Sequence, residues 1–157
     1  MRRHRRGLKL TLQSRFDLER FVEAQAPIYE QARAELAAGR KQSHWMWFIF
    51  PQIHGLGSSP TARRFAISGL DEAIAYLNHP VLGARLRECT GLVLAVEGKS
   101  VSDIFGYPDD LKFHSSMTLF AEAAKRNSAV NGDDRVFQDA LNKYFGGEPD
   151  RATLIRL

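Results

Sequence analysis

Apolar side chains recur at helical spacing along most of the chain, and this pattern predicts an all-α fold. The clearest stripe is Leu82, Leu86, Cys89, Val93 and Val96, whose members are four, three, four and three residues apart. That spacing places them on one face of a helix, which must then be buried against other elements. Similar stripes predict helices around Leu70, Ala73, Ile74 and Leu77; around Phe113, Met117, Phe120 and Ala124; and around Phe137, Ala140, Leu141 and Tyr144. We therefore expect a compact all-α domain with the Cys89 and Met117 helices at its centre.

Several helix starts are marked by residues that cap an N-terminus. Ser59 followed by Pro60 predicts an N-cap and a first helical residue, because proline lacks the N–H that the first turn leaves unpaired. Ser100 is followed three residues later by Asp103, and Ser68 by Asp71. Both pairs resemble a capping box, so we expect a helix to begin after each serine.

The most distinctive stretch spans residues 41–52 and contains both tryptophans. Six apolar residues run from Trp45 to Phe50 without a break, and Pro51 ends the element that they form. A run of this kind is expected to be buried, as a short helix or a strand, and periodicity alone does not separate the two. On a helix, Trp45 and Trp47 would project about 200° apart, so only one of them could face a pocket.

Composition narrows the functional classes. The 157 residues fit one domain, with 44% apolar and 25% charged residues as in ordinary globular proteins. The single cysteine excludes an internal disulfide, and its apolar neighbours predict a buried thiol. The five histidines lack paired helical spacing, and the common nucleotide-binding and hydrolase motifs are absent, so we expect neither a metal site nor a cofactor.

The net charge of +4 is concentrated at the N-terminus. Residues 1–15 hold six of the 22 basic side chains and no acidic one; the remaining 16 are outnumbered by 18 acidic residues. We therefore expect a basic, poorly ordered extension at 1–15 and a single all-helical domain at 16–157. Nucleic-acid binding is expected only weakly, through that extension. No apolar segment is long enough for a signal peptide or a membrane span, so we expect a cytoplasmic protein.

A polar face within the Met117 helix is the first candidate for a binding site. Lys112 lies three or four residues from Asp109, Ser115 and Ser116, so all four side chains share one face of a helix. Ser115, Ser116 and Thr118 are also indifferent helix formers, which calls for a tertiary reason. Such a face could hold an anionic ligand. Alternatively, the small serines permit close helix packing and Lys112 simply pairs with Asp109.

Two other polar groups could belong to the same site. Arg63 and Arg64 are adjacent near a predicted helix start and could bind phosphate or carboxylate, or could pair at the surface with Asp71 or Glu72. The aromatic run is preceded by Lys41, Ser43 and His44. His44 is either a base in a pocket or a histidine satisfied by the core.

Four motifs of this chain closely resemble the bacterial family catalogued as domain of unknown function 1810. They are residues 40–52, 59–67, 79–83 and 112–120, in that order. The resemblance covers the chain from about Phe16 to its end and implies an all-α single domain of about six helices, with the aromatic run helical. It implies no activity, so no catalytic role is transferred, and the basic extension is not part of the family pattern.

From these observations we predict a domain that binds a small anionic ligand, a nucleotide or a sugar phosphate, in a basic and aromatic pocket. The alternative is a non-catalytic protein-interaction module in which the same residues only pack. The sequence leaves open whether the protein is an enzyme and what its oligomeric state is; His44 and Asp109 are the candidates for acid–base chemistry. The predicted ligand-binding residues are Lys41, Ser43, His44, Trp47, Arg63, Arg64, Lys112, Ser115 and Ser116.

Overall fold

The computed structural model describes residues 15–127 and 134–157, and this part of the chain is a single all-helical domain. No helix in it is long and apolar enough to cross a membrane. In chain order the helices are α1 Glu19–Gln25, α2 Tyr29–Ala37, α3 Met46–Ile49, α4 Pro60–Arg64, α5 Leu70–Asn78, α6 Leu82–Ala95, α7 Val101–Phe105, α8 Asp109–Arg126, α9 Arg135–Phe145 and α10 Arg151–Ile155.

The expected helix number of about six is wrong, because the described residues form ten helices. Six of these have seven residues or more, and the other four have only four or five residues. The short helices α3, α4 and α7 lie in connecting segments, and α10 is the last element. Pro51 follows the aromatic run and Gly106, with φ of 75°, ends α7, so these elements stop after about one turn.

The centre of the domain is built from the two helices whose stripes are strongest. Helix α8 packs against α5, α7, α9 and α10, whereas α6 packs against α2, α5 and α9. The stripe residues Phe113, Met117 and Phe120 on α8 are fully buried. Cys89 on α6 is also fully buried, and burial raises the pKa of its thiol to about 12, so it is a core side chain rather than a nucleophile.

The aromatic run forms the short helix α3, as the family resemblance implied. Its two ends are buried in the core, where the ring of Phe50 meets those of Phe105 and Phe113 edge-on at 5.9 and 5.0 Å. Trp47 and Phe48 are only partly buried. The expectation that the whole run is buried is therefore wrong for these two residues, because one turn of helix cannot turn every side chain inward.

The segment between residues 53 and 67 leaves the core and returns to it at the same point. Ile67 N–H donates to the carbonyl of Gln52 at 2.8 Å, and His54 N–H donates to the carbonyl of Ile67 at 2.9 Å. These bonds form an isolated parallel bridge between Ile53 and Ile67. The excursion, which contains α4, is therefore held at its base while its loop, residues 54–59, lies at the surface.

The capping predictions differ in outcome. The Ser59 hydroxyl accepts from Ala62 N–H at 3.1 Å, and Ser100 and Asp103 form a reciprocal capping box. The Ser68–Asp71 box is wrong: the N-cap of α5 is Gly69, without a side-chain cap. The predictions about the basic extension concern residues 1–14 almost entirely, and these lie outside the described residues.

Candidate functional site

The position of Trp47 follows from a buried carboxylate on α2. Glu35 is 8% exposed, and its Oε1 accepts from the backbone N–H of Gln42 at 2.8 Å, from that of Ser43 at 3.0 Å and from Trp45 Nε1 at 3.0 Å. Its Oε2 accepts from the Ser43 hydroxyl and from Gln31 Nε2. One side chain thus fixes the loop before α3 and holds the Trp45 indole inside the core.

These hydrogen bonds also set the ionisation of Glu35. Burial opposes the charged form, but the Ser43 hydroxyl, two backbone N–H groups and the Trp45 indole N–H together outweigh it and lower the pKa of the carboxyl to about 2. Glu35 is therefore an anion at neutral pH. Trp47, two residues after the inward-pointing Trp45, is only partly buried and packs against the core.

Three charged side chains lie between the start of α3 and the start of α8. Lys41 Nζ is 2.8 Å from Asp109 Oδ2, and Lys112 Nζ is 3.5 Å from Asp109 Oδ1. The side chain of Lys41 is only 7% exposed, and its Nζ also donates to the Ser43 carbonyl at 2.6 Å. One carboxylate is thus shared by two ammonium groups, which leaves the trio with a net charge of about +1 at neutral pH.

The two ammonium groups are also placed over the two indoles. Lys41 Nζ lies 5.0 Å from the ring centre of Trp45, and Lys112 Nζ lies 5.1 Å from that of Trp47. Such cation–π contacts stabilise a charge that has lost part of its hydration. Lys112 remains 26% exposed, so of the two lysines it is the one that a dissolved ion can reach.

A cleft of about 550 Å³ opens beside Lys112. It lies between the first turns of α8, the loop of residues 56–59 and the start of α10, and we call it the α8 cleft. Its volume is within the range of small-molecule sites. Its lining consists of Trp47, Gln52, Leu56, Gly57, Ser58, Ser59, Ala62, Pro108, Leu111, Lys112, His114, Ser115, Asp150 and Ala152.

A second cleft of about 360 Å³, the α4 cleft, adjoins the first on the other side of the loop. Five residues line both clefts: Trp47, Gln52, Gly57, Ser58 and Ala62. The residues that line only the α4 cleft are Ile53, His54, Gly55, Arg63, Phe65 and Ala66.

Several polar groups in the α8 cleft already form hydrogen bonds within the protein. The Ser115 hydroxyl donates to Asp150 Oδ2 at 2.8 Å, and this same oxygen accepts from the Thr153 hydroxyl at 2.6 Å. His114 Nε2 is 2.7 Å from the carbonyl of Glu148. Because a hydroxyl carries a single proton, Ser115 has no donor left for a ligand while it donates to Asp150.

The structure brings only some of the predicted site residues together. Trp47, Lys112 and Ser115 line the α8 cleft, whereas Arg63 lines the α4 cleft. Lys41 and Ser43 lie behind this surface and hold Asp109 and Glu35, respectively.

The other predicted residues lie elsewhere. Arg64 lines neither cleft, and its guanidinium lies 5.0 Å from the ring centre of Phe65. His44 is exposed and also lines neither cleft, so it is not the core histidine of the alternative reading. Ser116 is fully buried, and its hydroxyl has no hydrogen-bond partner among the described residues. The structure therefore gives these three no contact with either cleft.

Sequence reasoning did not select Glu35, Gln52, His114 and Asp150. Gln52 directly follows Pro51 at the end of the aromatic run, which was a usable signal. Asp150 directly precedes α10, far along the chain from the aromatic run, and little local marks Glu35, because all of its partners except Gln31 lie 7 to 10 residues away in an irregular loop. Among the described residues, no group of three or more His, Cys, Asp or Glu side chains is placed to hold a metal ion.

Comparison with known proteins agrees with the fold but supplies no activity. The chain matches one family model over residues 15–157, described as a protein of unknown function, DUF1810, and it belongs to that family. It is similar to the crystal structure of the conserved hypothetical protein Rv1873 from Mycobacterium tuberculosis, at 57% sequence identity and a TM-score of 0.85. The match covers 90% of this chain and 96% of that one. No curated protein matches the chain.

Proposed function

We propose that this protein binds a small anionic ligand, a nucleotide or a sugar phosphate, in the α8 cleft, with Lys112 as the charged contact. The observation that carries the proposal is the unequal sharing of Asp109. Lys41 takes one carboxylate oxygen at 2.8 Å in a nearly buried pair, whereas Lys112 keeps a contact of only 3.5 Å to the other. Lys112 therefore presents positive charge to the cleft that no described carboxylate fully neutralises.

The surroundings of Lys112 favour an anion for a physical reason. Two ammonium groups near one carboxylate repel each other, and partial burial removes some of the water that would screen them. A phosphate or carboxylate in the cleft would complete the charge balance. Asp150 is the opposing carboxylate in the lining, but it already accepts hydrogen bonds from Ser115 and Thr153.

The geometry supports binding more directly than it supports a reaction. Both oxygens of Asp109 face lysines, which suits a carboxylate that holds cations in place. His44 lies outside the clefts, so an acid–base role for it would require a ligand that extends beyond them. The proposal is accordingly one of recognition, with Lys112, Trp47 and Gln52 as the ligand contacts and Lys41 as their support.

Thermal denaturation in the presence of phosphates tests this proposal. Nucleoside mono- and diphosphates and sugar phosphates are added at low ionic strength, where surface charges are screened least. A ligand at 100 times its Kd stabilises the folded state by about 2.7 kcal/mol, which raises the Tm of a domain of this size by roughly 5–10 °C. Lys112→Met should abolish the rise while changing the Tm of the free protein little.

The control for charge is Lys125→Met. Lys125 lies on the same helix, is exposed, and pairs with Glu122 at 2.8 Å, so this variant should keep the full ligand response. If no phosphate in the panel stabilises the parent protein, or if both lysine variants respond alike, anion binding at Lys112 is refuted. The interaction-module hypothesis would then take its place.

A further inference from the structure

The α4 cleft differs in chemistry from the α8 cleft. Its inner wall contains the buried side chains of Ile53 and Phe65, which are 1% and 5% exposed, together with Ala62. Its polar groups are peripheral: Arg63 and His54 are exposed, and the guanidinium of Arg63 has no ion pair among the described residues. The cleft thus combines an apolar interior with a planar cation at its edge.

From this pairing we infer that the ligand is a nucleotide rather than a sugar phosphate, with its phosphate at Lys112 in the α8 cleft and its base in the α4 cleft. The inference rests on the proposed function and adds the class of ligand to it. A nucleobase has two apolar faces and a polar edge, and it needs a pocket with the same division. A sugar phosphate has hydroxyl groups on all sides and gains little from an apolar wall.

Three residues of the α4 cleft suit the apolar faces and the polar edge of a nucleobase. The face of a base can pack against the partly buried indole of Trp47, because aromatic stacking accepts any base. The edge of a base carries donors and acceptors, and the Gln52 amide offers both. Arg63 can stack on the ring or donate to it through its planar guanidinium.

The shared wall places the two clefts within the span of one molecule. Trp47 and Gln52 line both clefts, so a ligand that contacts them is at the boundary. Between the clefts, the loop approaches α4 so closely that a Cβ on Gly57 would lie only 2.7 Å from the Cβ of Ala62. Glycine at this position therefore keeps the loop against α4 and the boundary narrow.

The test compares ligands that share a phosphate but differ in the base. Isothermal titration calorimetry is performed with the four ribonucleoside 5′-monophosphates and with ribose 5-phosphate, using the full chain. At least one nucleotide should bind roughly tenfold or more tightly than ribose 5-phosphate, as expected from the stacking of one base. Arg63→Ala should lower the affinity for that nucleotide by a similar factor and leave the affinity for ribose 5-phosphate unchanged.

Two further variants separate the contribution of the phosphate to binding from that of the base. Lys112→Met should lower the affinity for the nucleotides and for ribose 5-phosphate, because each of these ligands carries a phosphate. Arg64→Ala removes the same charge one position away, where the side chain lies outside both clefts, and it should weaken nucleotide binding by less than twofold.

The outcomes distinguish this inference from the proposed function. If ribose 5-phosphate binds as tightly as all four nucleotides, or if Arg63→Ala weakens both classes equally, the base does not occupy the α4 cleft, whereas phosphate binding at Lys112 stands. An equal effect of the Arg63 and Arg64 variants also contradicts the inference, because it reveals only a general charge effect. If neither class binds, both proposals fail.

Discussion

Replacement of Glu35 by glutamine is the sharpest test of how the site is supported. The variant keeps the size of the side chain but removes its charge, and it places an NH₂ group among donors that need an acceptor. The hydrogen bonds of the folded state lower the pKa of the Glu35 carboxyl from 4.5 to about 2. A decrease of this size corresponds to about 3 kcal/mol of folding free energy at neutral pH, since each tenfold change in proton affinity is worth about 1.4 kcal/mol.

The pH dependence of this effect has a definite sign. Because the folded-state pKa is the lower one, the charged carboxylate contributes its full stability above about pH 4.5, and the contribution is lost as the pH falls toward 2. A protonated glutamic acid resembles glutamine, because each carries a donor where the loop offers only donors. The difference in unfolding free energy between parent and Glu35→Gln should therefore be about 3 kcal/mol at pH 7 and should approach zero near pH 2.

Urea denaturation of both proteins between pH 2 and pH 7 measures this difference, and other titrating groups cancel in the comparison. Glu30→Gln is the matched control, because Glu30 lies on the same helix with its side chain 82% exposed and pairs with Arg33 at the surface. Its effect should be below about 1 kcal/mol. A Glu35→Gln effect below about 1 kcal/mol at pH 7, or one that does not change with pH, would refute the account.

Three further predictions concern the core, the loop and the N-terminal segment. Trp45→Ala should cost about 3–5 kcal/mol in chemical denaturation, and Trp47→Ala less than half as much, because only the Trp45 ring is fully buried; equal losses would contradict these positions. Gly57→Ala should move the loop away from Ala62 and weaken nucleotide binding in calorimetry, with a Tm within a few degrees of the parent; unchanged affinity would show that the boundary is not critical. Deletion of residues 1–15 should also leave the Tm within a few degrees, whereas loss of folding would show that the segment packs on the domain.

Features that depend on neighbouring residues were predictable from the sequence. The stripe of α6 specifies its own buried face, and the Ser100–Asp103 box closes within four residues. The similar Ser68–Asp71 pattern failed because Glu72, rather than Asp71, accepts the Ser68 N–H. Ser68 N–H donates to Glu72 at 2.8 Å, and the buried Glu72 pairs with Arg20 on α1 at 3.0 Å. The carboxylate of Glu72 is held by Arg20 on another helix, and no local sequence pattern reveals that contact.

The part of the candidate site that lies on one face of α8 was predictable from the sequence. Spacing on α8 placed Lys112 beside Asp109, and the structure has this pair. Spacing could not separate Ser115 from Ser116, because both are within one turn of Lys112. The first lies in the cleft wall and donates to Asp150, and the second is turned by a further 100° into the core. Which of two adjacent residues faces a cleft depends on α10 and the loop at residues 56–59, which come from distant parts of the chain.

The same distinction applies to the polar residues before the aromatic run. Lys41 and Ser43 were predicted as ligand contacts because they are polar and adjacent to a buried segment. The structure gives them internal partners instead: Ser43 bonds to Glu35, and Lys41 occupies one oxygen of Asp109. This second contact matters for the cleft, because an Asp109 without Lys41 would be free to neutralise Lys112 at close range. The charge available to a ligand at Lys112 therefore depends on a lysine that the ligand does not touch.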